Sequence, residues 1–431
     1  MAALIIDQSI SNISDIITQE ITSTSGVALF IAIATVYAVG QYYILEMVKA
    51  KNKEITIKSL HNNAAEKMIT AVQYVLTAII VFTVLQIIVS SQYHTNLLIA
   101  AFTISYGAAS ILMGILAWKL FSWFKINKRF EVLLFGLATA VITMYLIDNI
   151  ILVDVILMGK PALITPESEV IYATMGLEPY DPMYIVLTLQ NYSLTAFIIL
   201  IWAGSILLLR HNVRRIGKVK FSVIVTLPLI YFMSYYVTLY QQFYPTSAVT
   251  EAISSNFMIP ILLYTYSYMI CGILFGAGFL SISRHISHSN HVRDYMIITG
   301  FGLILFFSAG FATVLQAPYP PYGLPNVSFA ALSCFLILVG LYQSAVSIAQ
   351  DVNLRNSIRK SVIQSKLLDS IGTAQMEQEL QNKVITMTKE NAQVLEKESG
   401  IEPSLTDEEI QQYVDRVISE IKSDREALQD R

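Results

Sequence analysis

The residues best suited by type to hold a metal ion are three histidines spaced three positions apart. His285, His288 and His291 lie in the segment RHISHSNHVRD, and imidazoles at this spacing can share one helix face and coordinate a transition metal. However, no cysteine lies nearby, and Asp294 is the one carboxylate close to them. Histidines in such a segment more often face water or lipid headgroups, so we expect a solvated loop rather than a metal site.

A carboxylate inside an apolar stretch is a second candidate, because an ionisable group within a membrane usually serves a function. Asp148 follows Arg129 along one continuous apolar block. At 1.5 Å per helical residue the two lie about 29 Å apart, at the far edge of a ~30 Å hydrocarbon layer. Asp148 is therefore either a residue on a solute pathway or a carboxylate at the membrane interface, and its depth favours the interface.

Tyrosines are concentrated in two neighbouring apolar blocks, at four-residue spacing in the first of them. Such a stripe could line a polar cavity for a small ligand. The structural alternative is packing between helices together with an aromatic belt at the membrane interface, and it is favoured. The positions that we take as candidates for a ligand cavity are Tyr236, Tyr240, Tyr264 and Tyr268.

Small residues in one of these blocks predict close helix packing rather than chemistry. Gly272 and Gly276 form a GxxxG pattern, which lets two helices approach closely within the bundle or between subunits. Cys271 and Cys334 both lie inside apolar blocks and are expected to be small core residues. The chain has no nucleotide-binding loop and no histidine deep in an apolar block that could ligate haem. We therefore predict that the protein is not an enzyme and carries no cofactor.

The elements that position these residues are predicted from composition. The chain has 431 residues, of which 55% are hydrophobic and 14% are charged, against about 25% charged in a typical soluble domain. The apolar residues form continuous blocks close to the ~20 residues that a helix needs to cross a bilayer. We predict an all-α fold, a polytopic membrane helical bundle of about nine transmembrane helices. The blocks cover 26–48, 68–91, 97–124, 131–153, 184–209, 221–244, 257–283, 295–316 and 327–350.

The connections between the blocks alternate between basic ones and acidic or neutral ones. Because lysine and arginine in short loops stay cytoplasmic, we predict a multi-pass protein of the cell membrane with its N-terminus outside and its C-terminus in the cytoplasm. The long connection 154–183 carries four prolines and is expected to be an irregular lid or a re-entrant piece. The predicted domains are an extracytoplasmic N-terminal segment at 1–25, a nine-span domain at 26–350 and a cytoplasmic helical tail at 351–431. We expect residues 1–25 to form either an exposed segment or an interfacial helix.

Two asparagines on the predicted outer side match the acceptor pattern for N-glycosylation. Asn12 lies in NIS and Asn326 in NVS, and acceptor sites that are used lie on the surface. Asn326 directly follows a proline-rich and aromatic turn at 317–325, which we expect to be stiff.

The segment after Gln350 predicts an amphipathic helical tail. No proline lies between Val327 and Glu402, so the ninth span can continue as a nearly unbroken helix, with Gly372 as its hinge. A glycine and a proline then end this helix, and a capping box starts a second one. The apolar face on which we expect a cytoplasmic protein partner consists of Ile410, Val414, Val417 and Ile421.

Three segments carry a resemblance to known sequences: APYPPYGLPNVSF, GLYQSAVSIAQDVNLRNSIRKS and LLDSIGTAQMEQEL. They resemble uncharacterised multi-span membrane proteins of ammonia-oxidising archaea, some of which are similar to the membrane sensor regions of signalling proteins. The resemblance implies a membrane location and a lineage, and it implies no activity.

These observations favour a non-catalytic membrane receptor or adaptor that passes a signal through its last span to a cytoplasmic partner bound by residues 351–431. The alternatives are a transporter or channel for ions or small solutes, and a structural subunit of a larger membrane complex. The expected partners are the lipid bilayer and a protein that the sequence does not identify, with no nucleic acid. The GxxxG surface is also compatible with a homo-oligomer.

Overall fold

The protein is an all-α bundle, as its composition predicts. Within the ranges described by the computed structural model, seven helices are long and apolar enough to cross a membrane. The described sheet has only two short strands, which pair antiparallel with Tyr93 opposite Ile164. The structure describes residues 2–13, 22–53, 60–167, 182–210, 213, 217–243, 258–284, 290–309, 318–350 and 366–399.

Each of the nine predicted apolar blocks overlaps a described helix, and seven of these spans are long and apolar enough to cross a membrane. Residues 310–316 of the eighth block lie outside the described residues. Apolar side chains also cover much of the outer surface of the bundle; Val89, for example, is 83% exposed. Such a surface is stable in lipid, where each spanning segment must satisfy its backbone groups internally. The helices are α1 (Ala2–Ile13), α2 (Thr24–Lys53), α3 (Leu60–Ser90), α4 (Thr95–Asn127), α5 (Phe130–Met158), α6 (Pro182–Arg210), α7 (Lys218–Phe243), α8 (Met258–Ser283), α9 (Asn290–Ala309), α10 (Leu324–Ser328), α11 (Ala330–Gln350) and α12 (Lys366–Ser399).

The last span is the centre of the bundle. Every residue from Leu324 to Leu341 is buried, whereas in the most apolar stretches of α2 and α3 only 28% of the residues are buried. Helices α3, α4, α9 and α12 all pack against α11. Gly340 of α11 lies directly against Thr299 of α9, where a β-carbon would overlap the threonine. Close approach through glycine brings the two backbones together and increases the contact between them.

The tail helix does not continue the direction of the last span. An unbroken helix would place Ile348 and Gly372 roughly 36 Å apart. Instead they are in contact, and a β-carbon on Gly372 would overlap the Ile348 side chain. The prediction of a nearly unbroken helix with a hinge at Gly372 is therefore wrong. Helix α12 folds back onto the end of the bundle, and Gly372 is a point of close packing.

Of the two expectations for the N-terminal segment, an exposed segment or an interfacial helix, residues 2–13 fit the helical one. These residues form α1, and one face of α1 is buried against α2 and α10. The connection after α5 starts later than the sequence suggests, because α5 continues to Met158. The strand that follows it, Leu163–Ile164, pairs with Tyr93–His94 between α3 and α4. The rest of that connection, 168–181, lies outside the described residues.

Candidate functional site

The last span consists of α10 and α11, which we call together the central helix. Its first turn, in α10, is capped by a carboxylate from α1. Asp7 is fully buried, its Oδ1 accepts a hydrogen bond from Gly323 N–H at 3.0 Å, and its Oδ2 accepts one from Asn326 N–H at 3.3 Å. These N–H groups lie at the start of α10, where helical amides have no partner within the helix. Gly323 has φ +91°, a conformation that glycine adopts without strain. The carboxylate thus satisfies two donors and faces the positive end of the helix.

Two further hydrogen bonds hold α1 on this segment. Asn326 Nδ2 donates to the Leu4 carbonyl at 3.0 Å, and Ser11 Oγ donates to the Tyr322 carbonyl at 3.3 Å. Asn326 is 1% exposed, so its amide cannot receive a glycan in this fold. The NVS triplet at Asn326 left glycosylation open, and this burial argues against its use, while the side chain of Asn12 lies outside the described part.

The opposite side of the same segment is held by polar side chains from the spans. Ser105 Oγ of α4 donates to the Val327 carbonyl at 2.7 Å, and Gln73 Nε2 of α3 donates to the Ser328 carbonyl at 3.2 Å. Tyr37 of α2 donates its hydroxyl to Gln73 Oε1 at 2.9 Å. Carbonyls that lack water need such partners. We call residues 318–328 with these hydrogen-bonding partners the capping cluster.

The turn before α10 belongs to the capping cluster as well. Tyr93 donates its hydroxyl to the Pro318 carbonyl at 2.8 Å and stacks on Tyr319 at 6.3 Å between ring centroids. The Tyr322 hydroxyl donates to the Gly26 carbonyl at 2.6 Å. These contacts enclose the aromatic turn, and every residue from Pro318 to Ser328 is buried.

Burial determines the electrostatics of the capping cluster. It raises the pKa of Asp7 from 3.8 to about 7, against the opposing effect of the hydrogen bonds from Gly323 and Asn326. It also raises the pKa of Tyr322 to about 12, with a further contribution from the nearby Asp7 charge. Asp7 therefore changes charge near neutral pH, at the contact that joins α1 to the central helix.

At the other end of the bundle, α12 is docked by hydrogen bonds to α4. Trp123 Nε1 donates to Gln375 Oε1 at 3.1 Å, and Gln378 Nε2 donates to Ser122 Oγ at 3.2 Å. The Trp123 ring also stacks on Tyr342 of α11, with the ring centroids 6.3 Å apart. Side chains of α4, α11 and α12 therefore meet at Trp123.

The first turns of α12 present an apolar face to this end of the bundle. The four apolar side chains of this face are each at most 2% exposed, so their burial contributes hydrophobic stabilisation to the docked state of α12. Asn127 of α4 adds a hydrogen bond from its side chain to the Ser370 carbonyl. The buried residues are Leu367, Leu368, Ile371 and Ala374.

Asp148 lies between α5 and α6. It is 8% exposed, and Ser193 Oγ donates to its Oδ2 at 3.3 Å. The next residue, Asn149, accepts a hydrogen bond from Gln190 Nε2 at 2.8 Å. These four side chains form a polar contact between two spans, and we call them the α5–α6 polar contact.

The glycines and cysteines singled out from the sequence lie in the core. A β-carbon on Gly272 would overlap Phe307 of α9, and one on Gly276 would come within 2.6 Å of the Gly300 carbonyl. The GxxxG surface therefore packs α8 against α9 inside the bundle. Cys271 and Cys334 are both buried and free.

The remaining candidates are not placed by the structure. Helices α7 and α8 include Tyr236, Tyr240, Tyr264 and Tyr268, but their side chains lie outside the described part. The side chains of His285, His288 and His291, and the tail residues Ile410, Val414, Val417 and Ile421, are outside it as well. Among the described residues, no group of three histidine, cysteine or acidic side chains could hold a metal ion.

Sequence reasoning missed the capping cluster. Asp7 was assigned to an exposed segment or an interfacial helix, and the polar side chains of Gln73 and Ser105 were not singled out inside their apolar blocks. Their occurrence within spans was the available signal, because a polar group at that depth needs a partner. Comparisons with protein-family models, with curated proteins and with solved structures find no match for this chain.

Proposed function

We propose that the protein is a non-catalytic membrane receptor or adaptor in which α11 transmits a change at the capping cluster to α12. In this proposal the capping cluster faces the outside and α12 faces the cytoplasm, as the loop charges predict. The observation that carries the proposal is the burial of every residue from Leu324 to Leu341, with α1 docked at one end of this span and α12 at the other.

The packing supplies a physical route for such a signal. A ligand that changes the position of α1 also changes the hydrogen bonds from Asp7 to Gly323 and Asn326, the residues at the start of the central helix. Because α11 is enclosed by close-packed neighbours, its movement must be accommodated at its other end, where Ile348 touches Gly372. A change in the docking of α12 then alters how the tail is presented to a partner. The ligand must bind the two arrangements with different affinity.

Partner capture by the tail is the direct test. We expect the full chain, purified gently from its native membrane, to retain a protein that is lost on Val414→Asp, because a charge in an apolar contact weakens it strongly. Ser419→Asp is the matched control on the opposite face of the same predicted helix and should retain the protein. If the Val414→Asp chain keeps the same partners as the unmodified chain, the adaptor proposal fails.

A transporter is the second candidate, and the α5–α6 polar contact is the observation that favours it. Buried polar groups between spans often mark a solute pathway. In proteoliposomes this candidate predicts a flux of ions or small metabolites that is lost on Asp148→Asn and kept on Asp154→Asn. Absence of flux in the unmodified protein across a broad panel of solutes counts against it.

A further inference from the structure

The second half of α12 carries an apolar stripe that the bundle leaves uncovered. Leu380, Val384 and Met387 are 52%, 43% and 52% exposed, and their spacing places them on one face of the helix. The exposed charges Glu379 and Lys383 lie beside the stripe on the same helix. A carboxylate next to the stripe disfavours burial in lipid, so a protein surface fits it better than the bilayer does.

The chain itself supplies a segment that matches this stripe. The apolar face formed by Ile410, Val414, Val417 and Ile421 has steps of four, three and four residues. The stripe on α12, continued by Asn391, has the same steps. In an antiparallel arrangement, Ile421 lies opposite Leu380, Val417 opposite Val384 and Val414 opposite Met387, which is the layered packing of an antiparallel helix pair.

The length of the connection and the charges agree with the same arrangement. Helix α12 ends at Ser399, the connection 400–405 contains Gly400 and Pro403, and a capping box begins at Thr406. Connections of this length join antiparallel helices in bundles. The pairing also brings Lys383 beside Glu420, one residue from the apolar layer on each side, where opposite charges favour one partner and one register.

We propose that residues 406–421 fold back on the stripe of α12 and form an intramolecular helical hairpin. The hairpin covers Leu380, Val384 and Met387 and, at the same time, the apolar face of the C-terminal segment. For the regulation of partner binding this inference rests on the proposed function: a partner that binds the face containing Val414 must first displace α12. The hairpin contact itself stands without that function.

Disulfide formation between two introduced cysteines tests the hairpin. In the full-length chain, Val384→Cys with Val417→Cys should form an intramolecular disulfide under mild oxidation, because the two positions lie opposite each other in the proposed register. Val384→Cys with Ser419→Cys is the matched control, since position 419 faces away from the stripe. We expect the first pair to react at least about tenfold faster, as disulfide geometry is restrictive. The native cysteines are buried and can remain in place.

Three results would overturn the hairpin: no disulfide in the first pair, equal rates in both pairs, or a product with the mass of two chains. The last result identifies a second copy as the occupant of the stripe. Partner capture is measured separately, with and without the disulfide. A disulfide that forms at the expected rate, together with an unmodified chain that captures no partner, retains the hairpin and refutes the proposed function.

Discussion

Docking of α1 should depend on pH through Asp7. Burial raises the pKa of this carboxyl from 3.8 to about 7 in the docked state. Between these values the undocked helix has released a proton that the docked helix keeps, so docking weakens as the pH rises and levels off above about pH 7. At about 1.36 kcal/mol per pKa unit, the whole shift corresponds to about 4 kcal/mol, of which the part equivalent to about two pKa units falls between about pH 5 and about pH 8.

Asp7→Asn removes this dependence, because the amide is neutral at every pH and keeps one carbonyl acceptor for the N–H groups of Gly323 and Asn326. The assay is hydrogen exchange of peptides covering 318–328 in detergent, with both proteins measured at each pH so that the intrinsic exchange chemistry cancels. From about pH 5 to about pH 8, we expect protection in the unmodified protein to fall roughly 80-fold relative to the variant, from the free energy above.

The control for this experiment is Asp294→Asn, which removes a carboxylate at the far end of the bundle, where it pairs with Lys51 at 3.0 Å. It should leave the pH dependence of 318–328 intact. A ratio between the unmodified protein and Asp7→Asn that stays constant with pH, or that rises, would refute the reasoning. It would mean that the two backbone hydrogen bonds outweigh burial and keep Asp7 ionised.

Two further predictions concern the docking of α12. Gly372→Ala should weaken this docking, since forcing a methyl group into a filled contact costs about 1–3 kcal/mol. The control Gly107→Ala meets no atom within 4 Å and should stabilise its helix by up to about 1 kcal/mol. We expect faster hydrogen exchange of 366–378 in Gly372→Ala alone, and equal exchange in the two variants would contradict the prediction. Trp123→Phe removes the hydrogen bond to Gln375 and should weaken the docking of α12 by about 1 kcal/mol, or roughly fivefold in exchange. The control Trp118→Phe, at a 76% exposed position, should leave the docking unchanged. Proteolysis of the tail in native membranes checks both variants, and equal cleavage would exclude a role for this hydrogen bond.

The spans could be predicted from the sequence because a lipid environment requires long apolar runs with internally bonded backbones. The direction of the tail helix α12 could not be predicted from the sequence. Absence of proline removes one cause of a helix break, but the direction of α12 depends on contacts such as that between Trp123 and Gln375, which no local pattern encodes. The burial of Asp7 could not be predicted for the same reason, because the amides that bind it belong to Gly323 and Asn326, more than 300 residues away in the sequence.

Coupling between the two ends of α11 is the central claim, and one exchange measurement tests it. Asp7→Leu leaves the amides of Gly323 and Asn326 without their acceptor and should release α1; Ile6→Ala, at an exposed position of the same helix, is the control. We predict that Asp7→Leu changes the exchange of 366–378 by roughly fivefold or more, within the range of known coupling free energies, while Ile6→Ala leaves it unchanged. Faster exchange confined to 318–328, with 366–378 unaffected, would contradict the account.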